Sequence, residues 1–103
     1  MILTEQCKKD FIEWYSKNVP HIPLSGFRGN FYSLSDSMKY GVLVDFFTSE
    51  EIYITIINEI DFIGVQINYR DYNDYKSKTL HEARTKAIEK ANEIYNNDTK
   101  RKS

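Results

Sequence analysis

The segment Thr79-Leu80-His81-Glu82 constrains the fold most, because it matches the capping box that begins an α-helix. In this motif the Thr79 hydroxyl accepts a hydrogen bond from the backbone N–H of Glu82, whose carboxylate reaches back. An apolar stripe at helical spacing follows and includes three alanines: Leu80, Ala83, Ala87, Ile88, Ala91, Ile94 and Tyr95. We therefore predict a helix over residues 80–96 that lies close against a sheet. Asn96 and Asn97 are expected to end it, and residues 98–103 to form a flexible basic tail.

A second amphipathic pattern stands near the start of the chain, with apolar residues at the spacing of one helix face: Cys7, Phe11, Trp14 and Tyr15. Thr4 can cap this pattern, which predicts a helix over about residues 4–18. Two prolines and two glycines punctuate residues 19–33 and indicate an irregular connection. Three aromatic residues are expected to attach this connection to the body of the protein: Phe27, Phe31 and Tyr32. Ser35, Asp36 and Ser37 can then start one short helical turn that carries Met38.

Residues 40–69 contain three apolar runs that alternate with a period of two, which is typical of β-strands. The runs are Tyr40–Phe47, Ile52–Asn58 and Phe62–Tyr69. Polar connections of about four residues join them, too short for parallel crossovers, so we predict an antiparallel meander. The expected fold is α+β in the order α-β-β-β-α: a three-stranded antiparallel meander with two helices packed on one face.

Length and composition limit the size of this fold and predict its cellular location. The chain has 103 residues, which predicts one domain over 1–97 before the tail, and 27 of them are Leu, Ile, Val or Phe, enough for a modest core. The single cysteine, Cys7, excludes an internal disulfide. No apolar run resembles a signal peptide or reaches the length of a membrane span. We therefore expect a cytoplasmic protein that does not enter a membrane.

Few residues carry catalytic chemistry. His21 lies in the connection, and His81 lies in the first helical turn, where it is either a neutral ligand or base or a solvated surface residue. Cys7 lies on an apolar stripe, where a buried thiol acts as a small hydrophobe rather than a nucleophile. Gly26 and Gly29 form a lone G-x-x-G without the context of a phosphate loop or of an RNA-binding KH module. We expect no enzyme activity, no cofactor and no metal site.

The charges are distributed unevenly along the chain, although the formal net charge is only −1. Residues 36–75 carry eight acidic and two basic residues, a net charge of −6, and residues 76–103 carry a net charge of +4. An acidic surface repels nucleic acid and attracts a basic partner. The segment Tyr69–Tyr75 adds tyrosines and an arginine, residue types that anchor interfaces, although its tyrosines can also pack back on the sheet.

These features define a candidate partner-binding set: Asp45, Glu50, Glu51, Glu59, Asp61, Tyr69, Arg70, Asp71, Tyr72, Asp74 and Tyr75. Within it, Asp45 is either a recognition carboxylate on the open sheet face or an ordinary outward position. A first alternative is a nucleic-acid-binding accessory protein that uses the basic last helix and tail: Arg84, Lys86, Lys90, Lys100, Arg101 and Lys102. A second alternative is a homo-oligomeric structural protein.

Three stretches stand in order along the chain: Ser37–Phe47, the isoleucine-rich strands after it, and Glu82–Tyr95. Together they resemble small phage and prophage proteins, most of them known as hypothetical proteins; the second alternative is then a homo-oligomeric structural phage protein. Proteins of this size and acidic character are similar to anti-CRISPR inhibitors, several of which bind the basic nucleic-acid channels of RNA-guided nucleases. The resemblance implies a monomeric or homodimeric inhibitor whose partner is a host CRISPR effector nuclease or its guide-RNA complex. It brings no catalytic motif.

Overall fold

A computed structural model describes residues 2–18, 31–68, 70–71 and 76–102, and only the backbone of residues 70, 71 and 99–102. The named elements form a small α+β domain: α1 Glu5–Asn18, α2 Asp36–Ser49, β1 Ile54–Asn58, β2 Ile63–Ile67, β3 Arg70–Asp71 and α3 Leu80–Lys102. Several predicted features lie outside the described residues: most of the 19–33 connection, with His21, Gly26, Phe27 and Gly29, and within the tyrosine-rich segment Tyr69, Tyr72, Asp74 and Tyr75.

Helix α1 confirms the first amphipathic prediction. Cys7, Phe11 and Tyr15 are buried, and Trp14 packs half-buried beside them. The Thr4 carbonyl accepts a hydrogen bond from the Lys8 N–H, so the helix begins where the sequence predicts. The Thr4 hydroxyl, which we expected to cap α1, instead accepts hydrogen bonds from two side-chain amides of the last helix: Asn92 and Asn96.

Helix α2 overturns the predicted first strand, since residues Tyr40–Phe47 are helical. Ser35 caps it as expected, with its hydroxyl accepting a hydrogen bond from the Met38 N–H at 3.3 Å, but the predicted short turn continues for 14 residues. Leu43, Phe46 and Phe47 are buried at helical spacing. Asp45 is the one charged residue of Tyr40–Phe47, so polarity does not distinguish a period of two from a helical period in this segment. Packing of Phe46 against α1 and α3 favours the helix.

The β1–β2 hairpin confirms the second and third predicted runs. The two strands pair antiparallel, with Ile54 opposite Ile67 and Asn58 opposite Ile63. Val65 and Ile67 are buried on the core face, as the alternation predicts. The third strand of the sheet is the two-residue β3, which pairs with β2, and not the predicted run before β1. The predicted α-β-β-β-α order is therefore wrong.

Helix α3 begins at the predicted capping box. The Thr79 hydroxyl accepts a hydrogen bond from the Glu82 N–H at 3.1 Å, as predicted, but the Glu82 carboxylate pairs with Lys86 instead of reaching back to the start of the helix. The predicted end at Asn96 is wrong, because α3 continues to Lys102. Asn96 is buried and its side-chain amide bonds to α1, so it does not compete for the helix backbone. The flexibility of residues 98–103 stays a prediction.

The layers also differ from the prediction. Helix α3 covers the sheet with its alanine stripe buried, but α1 packs on α2 and α3 rather than beside α3 on the sheet face. Phe31 is buried against Phe11, with ring centroids 5.1 Å apart, as expected of a residue that fixes the connection. Tyr32, which has the same predicted role, is 53% exposed; its ring centroid lies 5.4 Å from that of Phe31 and 5.7 Å from the Lys39 ammonium of α2.

Candidate partner-binding surface

The hairpin separates the predicted acidic residues into two groups. Glu50 and Glu51 follow the end of α2, before β1 begins, whereas Glu59 and Asp61 lie in the turn after β1 ends. All four are exposed. The five-residue strand between them spans about 17 Å, so the four carboxylates do not form one cluster.

Two further residues of the predicted set, Arg70 and Asp45, lie on different elements. Arg70 pairs with Ile67, which lies opposite Ile54 at the start of β1, so the backbone of β3 lies at the Glu50 end of the sheet. Asp45 is exposed, but on helix α2, so its assignment to an open sheet face is wrong. Asp45 therefore occupies an ordinary outward position of the helix.

A surface cleft of about 250 Å³ lies at the Glu50 end. Residues from α1, from the end of α2 and from α3 line it: Asp10, Glu13, Trp14, Lys17, Asn18, Glu50 and Tyr95. Of these residues, only Glu50 belongs to the predicted partner-binding set. The α1 members recur at intervals of three and four residues, a signal that marks a shared helix face, but it does not indicate that Glu50 and Tyr95 join them.

Ring contacts hold the aromatic wall of the cleft in place. Trp14 stacks near Phe11, with centroids 6.2 Å apart, and meets Phe46 of α2 edge-on at 5.6 Å. Tyr95 lies 5.8 Å from Phe46 and donates its hydroxyl hydrogen to the Asp10 carboxylate. Burial, followed by this hydrogen bond and the nearby charge of Glu50, raises the pKa of Tyr95, so its hydroxyl stays a donor.

The charges of the cleft are mainly negative. Asp10, Glu13 and Glu50 contribute three carboxylates, and Lys17 contributes one ammonium group, which pairs with Glu13 at 2.9 Å. The Glu13–Lys17 pair is largely solvent-exposed, so it contributes little stability and can rearrange when a partner binds. The cleft therefore presents negative charge beside a fixed aromatic wall, a combination that suits a cationic side chain.

The structure shows the surroundings of two candidate catalytic residues, Cys7 and His81. Cys7 is fully buried, and desolvation, with smaller effects of Asp10 and Glu50, raises the pKa of its thiol to about 12. The thiol therefore stays neutral, consistent with a small core residue. His81 is exposed at the start of α3, with its Nδ1 3.8 Å from the Asp36 carboxylate. His81 is therefore a solvated surface residue, one of the two roles that the sequence predicts for it.

The basic residues of α3 in the described part of the chain have local partners. Arg84 donates to the Ser37 hydroxyl at 3.0 Å and lies 5.1 Å from the centroid of the Tyr40 ring. The other two each pair with an acidic residue of α3: Lys86 with Glu82 at 3.1 Å and Lys90 with Glu93 at 3.3 Å. Lys100, Arg101 and Lys102 belong to the helix by their backbone. The described α3 cations thus hold α2 to α3 or balance neighbouring carboxylates.

Comparisons with protein-family models, with curated proteins and with solved structures each found no significant match. No described helix is both long and apolar enough to cross a membrane. Within the same residues, no group of three or more His, Cys, Asp or Glu side chains could hold a metal ion.

Proposed function

We propose that this protein is a non-enzymatic interaction protein that binds a basic surface of a partner protein through its acidic end. The acidic end consists of the cleft residues Asp10, Glu13 and Glu50 together with Glu51. One observation carries this proposal: two helices and the end of a third bring three carboxylates around Trp14 and Tyr95 in one cleft. Charge and aromatic area therefore meet at one place on the surface.

The two components have different roles in binding. Exposed carboxylates attract a basic surface from a distance and select against acidic partners, nucleic acid included. The aromatic wall supplies contact area and can stack on an arginine guanidinium while the carboxylates accept its hydrogen bonds. Trp14 is held by Phe11 and Phe46, so it loses little side-chain entropy when a partner binds.

The resemblance to phage and prophage proteins supplies the class of partner. We propose an anti-CRISPR-like role, in which the acidic end docks on a host RNA-guided defence nuclease in the host cytosol and blocks guide or target nucleic acid. Such nucleases hold nucleic acid in positively charged channels, which an acidic protein surface can occupy. The local pairing of Lys86 and Lys90 with carboxylates supports this role over direct nucleic-acid binding.

A pair of matched charge reversals tests the proposal. The variant Glu50→Lys/Glu51→Lys changes the acidic end, and the control Asp45→Lys/Glu89→Lys makes the same charge change at two exposed helix positions that do not line the cleft or flank β1. Each protein is immobilised and exposed to a lysate of the bacterial host, captured proteins are identified by mass spectrometry, and the partner is then purified for affinity measurement. We expect a nuclease that the first variant loses and the control retains.

Two further readouts sharpen the test. Trp14 is the only tryptophan, so its fluorescence reports whether the partner occupies the cleft. Addition of the purified partner should change that fluorescence in the wild type and in the control, but not in the Glu50→Lys/Glu51→Lys variant. Equal affinity of both variants for the partner would contradict binding through the acidic end, and capture of no nuclease would contradict the proposed class of partner.

A further inference from the structure

Hydrogen bonds at both ends of strand β1 establish which of its backbone groups face β2. The Asn68 N–H donates to the Tyr53 carbonyl, and the Glu59 N–H donates to the Phe62 carbonyl, both over 2.9 Å. Backbone groups alternate in direction along a strand, so those of Thr55 and Ile57 also face β2. The outward-facing N–H and C=O groups are therefore those of Ile54, Ile56 and Asn58.

This outward edge has the features of a strand-pairing template. Strand β1 is the terminal strand in the sheet order β1-β2-β3. Among the residues that the structure describes, none hydrogen-bonds to the outward groups of Ile54, Ile56 or Asn58. The strand sequence Ile-Thr-Ile-Ile-Asn is uncharged, contains no proline and favours extended backbone. Unpaired edges of this kind add a further strand when one is available.

The charges at the two ends of β1 select the occupant. Glu50 and Glu51 precede the strand, and Glu59 and Asp61 follow it. A second copy paired antiparallel about a two-fold axis would place the first acidic pair of one chain beside the second pair of the other, so like charges would meet at both ends. A strand with an uncharged centre and basic residues at both ends would instead find complementary charge in either direction.

We propose that the outer edge of β1 binds an extended segment of a partner protein, uncharged at its centre and carrying Lys or Arg at both ends, as an added β-strand. This inference rests on the proposed function, because it assigns a binding mode to the same basic partner. Backbone hydrogen bonds from Ile54, Ile56 and Asn58 provide the pairing. The flanking carboxylates provide the selectivity and oppose pairing of the chain with itself.

The probe is the peptide KKTVTVTVKK, with EETVTVTVEE as its charge-reversed control. Amide hydrogen exchange measured by NMR follows each residue of β1 with and without peptide. We expect the basic peptide to slow exchange at Ile54, Ile56 and Asn58 and to leave Thr55 and Ile57 unchanged, because the ladder to β2 already protects them. Binding of the basic peptide without this alternating protection would overturn the inference, as would equal binding of the acidic peptide.

A pair of variants at Asn58 tests the edge separately from the charges. Asn58 is exposed, so Asn58→Pro removes an outward N–H without loss of a core side chain, while Asn58→Thr keeps the N–H. We expect Asn58→Pro to bind the basic peptide about tenfold more weakly and Asn58→Thr to bind as the wild type does. Thermal unfolding confirms that both variants fold.

The outcomes separate this inference from the proposed function. If Asn58→Pro binds both peptide and purified partner like Asn58→Thr, while Glu50→Lys/Glu51→Lys abolishes binding of the partner, the edge inference fails and the acidic end remains supported. If the charge reversal leaves partner binding unchanged, the proposed function itself fails. Concentration-dependent dimerisation that Asn58→Pro abolishes, measured by sedimentation, would overturn the choice of a basic segment over a second copy.

Discussion

The side-chain amide of Asn96 completes the first turn of helix α1, because its Oδ1 accepts a hydrogen bond from the backbone N–H of Cys7 at 2.9 Å. Its Nδ2 donates to the Thr4 carbonyl at 3.1 Å. The first N–H groups of a helix have no partner within it, and a capping side chain immediately before the helix commonly supplies one. Here an asparagine 89 residues away in sequence supplies it, so the cap also fastens α3 to α1.

Removal of this amide should destabilise the protein measurably. We expect Asn96→Ala to lower the free energy of unfolding by about 2 kcal/mol, because the buried Cys7 N–H loses its capping bond and the Thr4 carbonyl loses its bond to Nδ2. Urea unfolding followed by circular dichroism measures the change. Asn97→Ala, at an exposed neighbouring position, is the control and should change the free energy of unfolding by less than about 0.5 kcal/mol. Equal effects of the two substitutions would contradict the capping role.

Gly41 distinguishes the helix α2 from the strand that the sequence predicted. A Cβ built at this position meets no atom within 4 Å, so a side chain fits without strain. In a helix, Gly41→Ala should stabilise the protein by about 1 kcal/mol, and Gly41→Val should stabilise it less, because valine is the poorer helix former. In a strand the order would reverse. Thermal unfolding of both variants therefore tests the conformation of residues 36–49 directly.

Alkaline pH should weaken the fold partly through Cys7. Burial raises the pKa of its thiol from 9.0 to about 12, so between these values the unfolded chain releases the thiol proton and the folded chain keeps it. The free energy of unfolding therefore falls as the pH rises through this range, and it is unaffected by the thiol below about pH 9. Cys7→Ala should show a shallower fall in urea unfolding at increasing pH. Identical slopes for both proteins would contradict a buried, neutral thiol.

Arg84 belongs to the residues of the nucleic-acid alternative, but its contacts predict a role in stability. Since its guanidinium bonds to Ser37 and lies over Tyr40, we expect Arg84→Ala to lower the free energy of unfolding by about 1 kcal/mol through loss of packing between α2 and α3.

We also expect no retention of duplex DNA or of RNA by the wild type in a gel shift at low salt. Retention that falls with salt at a log–log slope of about −0.9 per neutralised phosphate would support that alternative instead.

The local sequence signals predicted α1, the β1–β2 hairpin and the start of α3 correctly. In α1, β2 and α3 one face is apolar and the other carries polar residues, so the periodicity identifies the element, and the Thr79–Glu82 capping box adds a specific start. The same reasoning failed for Tyr40–Phe47, where Asp45 is the one charged residue and does not by itself mark a polar face. The helix is the form in which Leu43, Phe46 and Phe47 share one buried side against α1 and α3.

The acidic end likewise combines a property that the sequence predicts with one that depends on the packing of the helices. The distribution of charge along the chain predicts a strongly acidic region over residues 36–75, with Glu50 and Glu51 among the candidates. The packing of the helices brings Glu50 to Asp10 and Tyr95 at one cleft, while Glu59 lies at the far end of β1. Charge and periodicity are properties of short segments, which composition and spacing reveal. The proximity of residues 10, 50 and 95 depends on how three helices pack around Phe46, which no local pattern encodes.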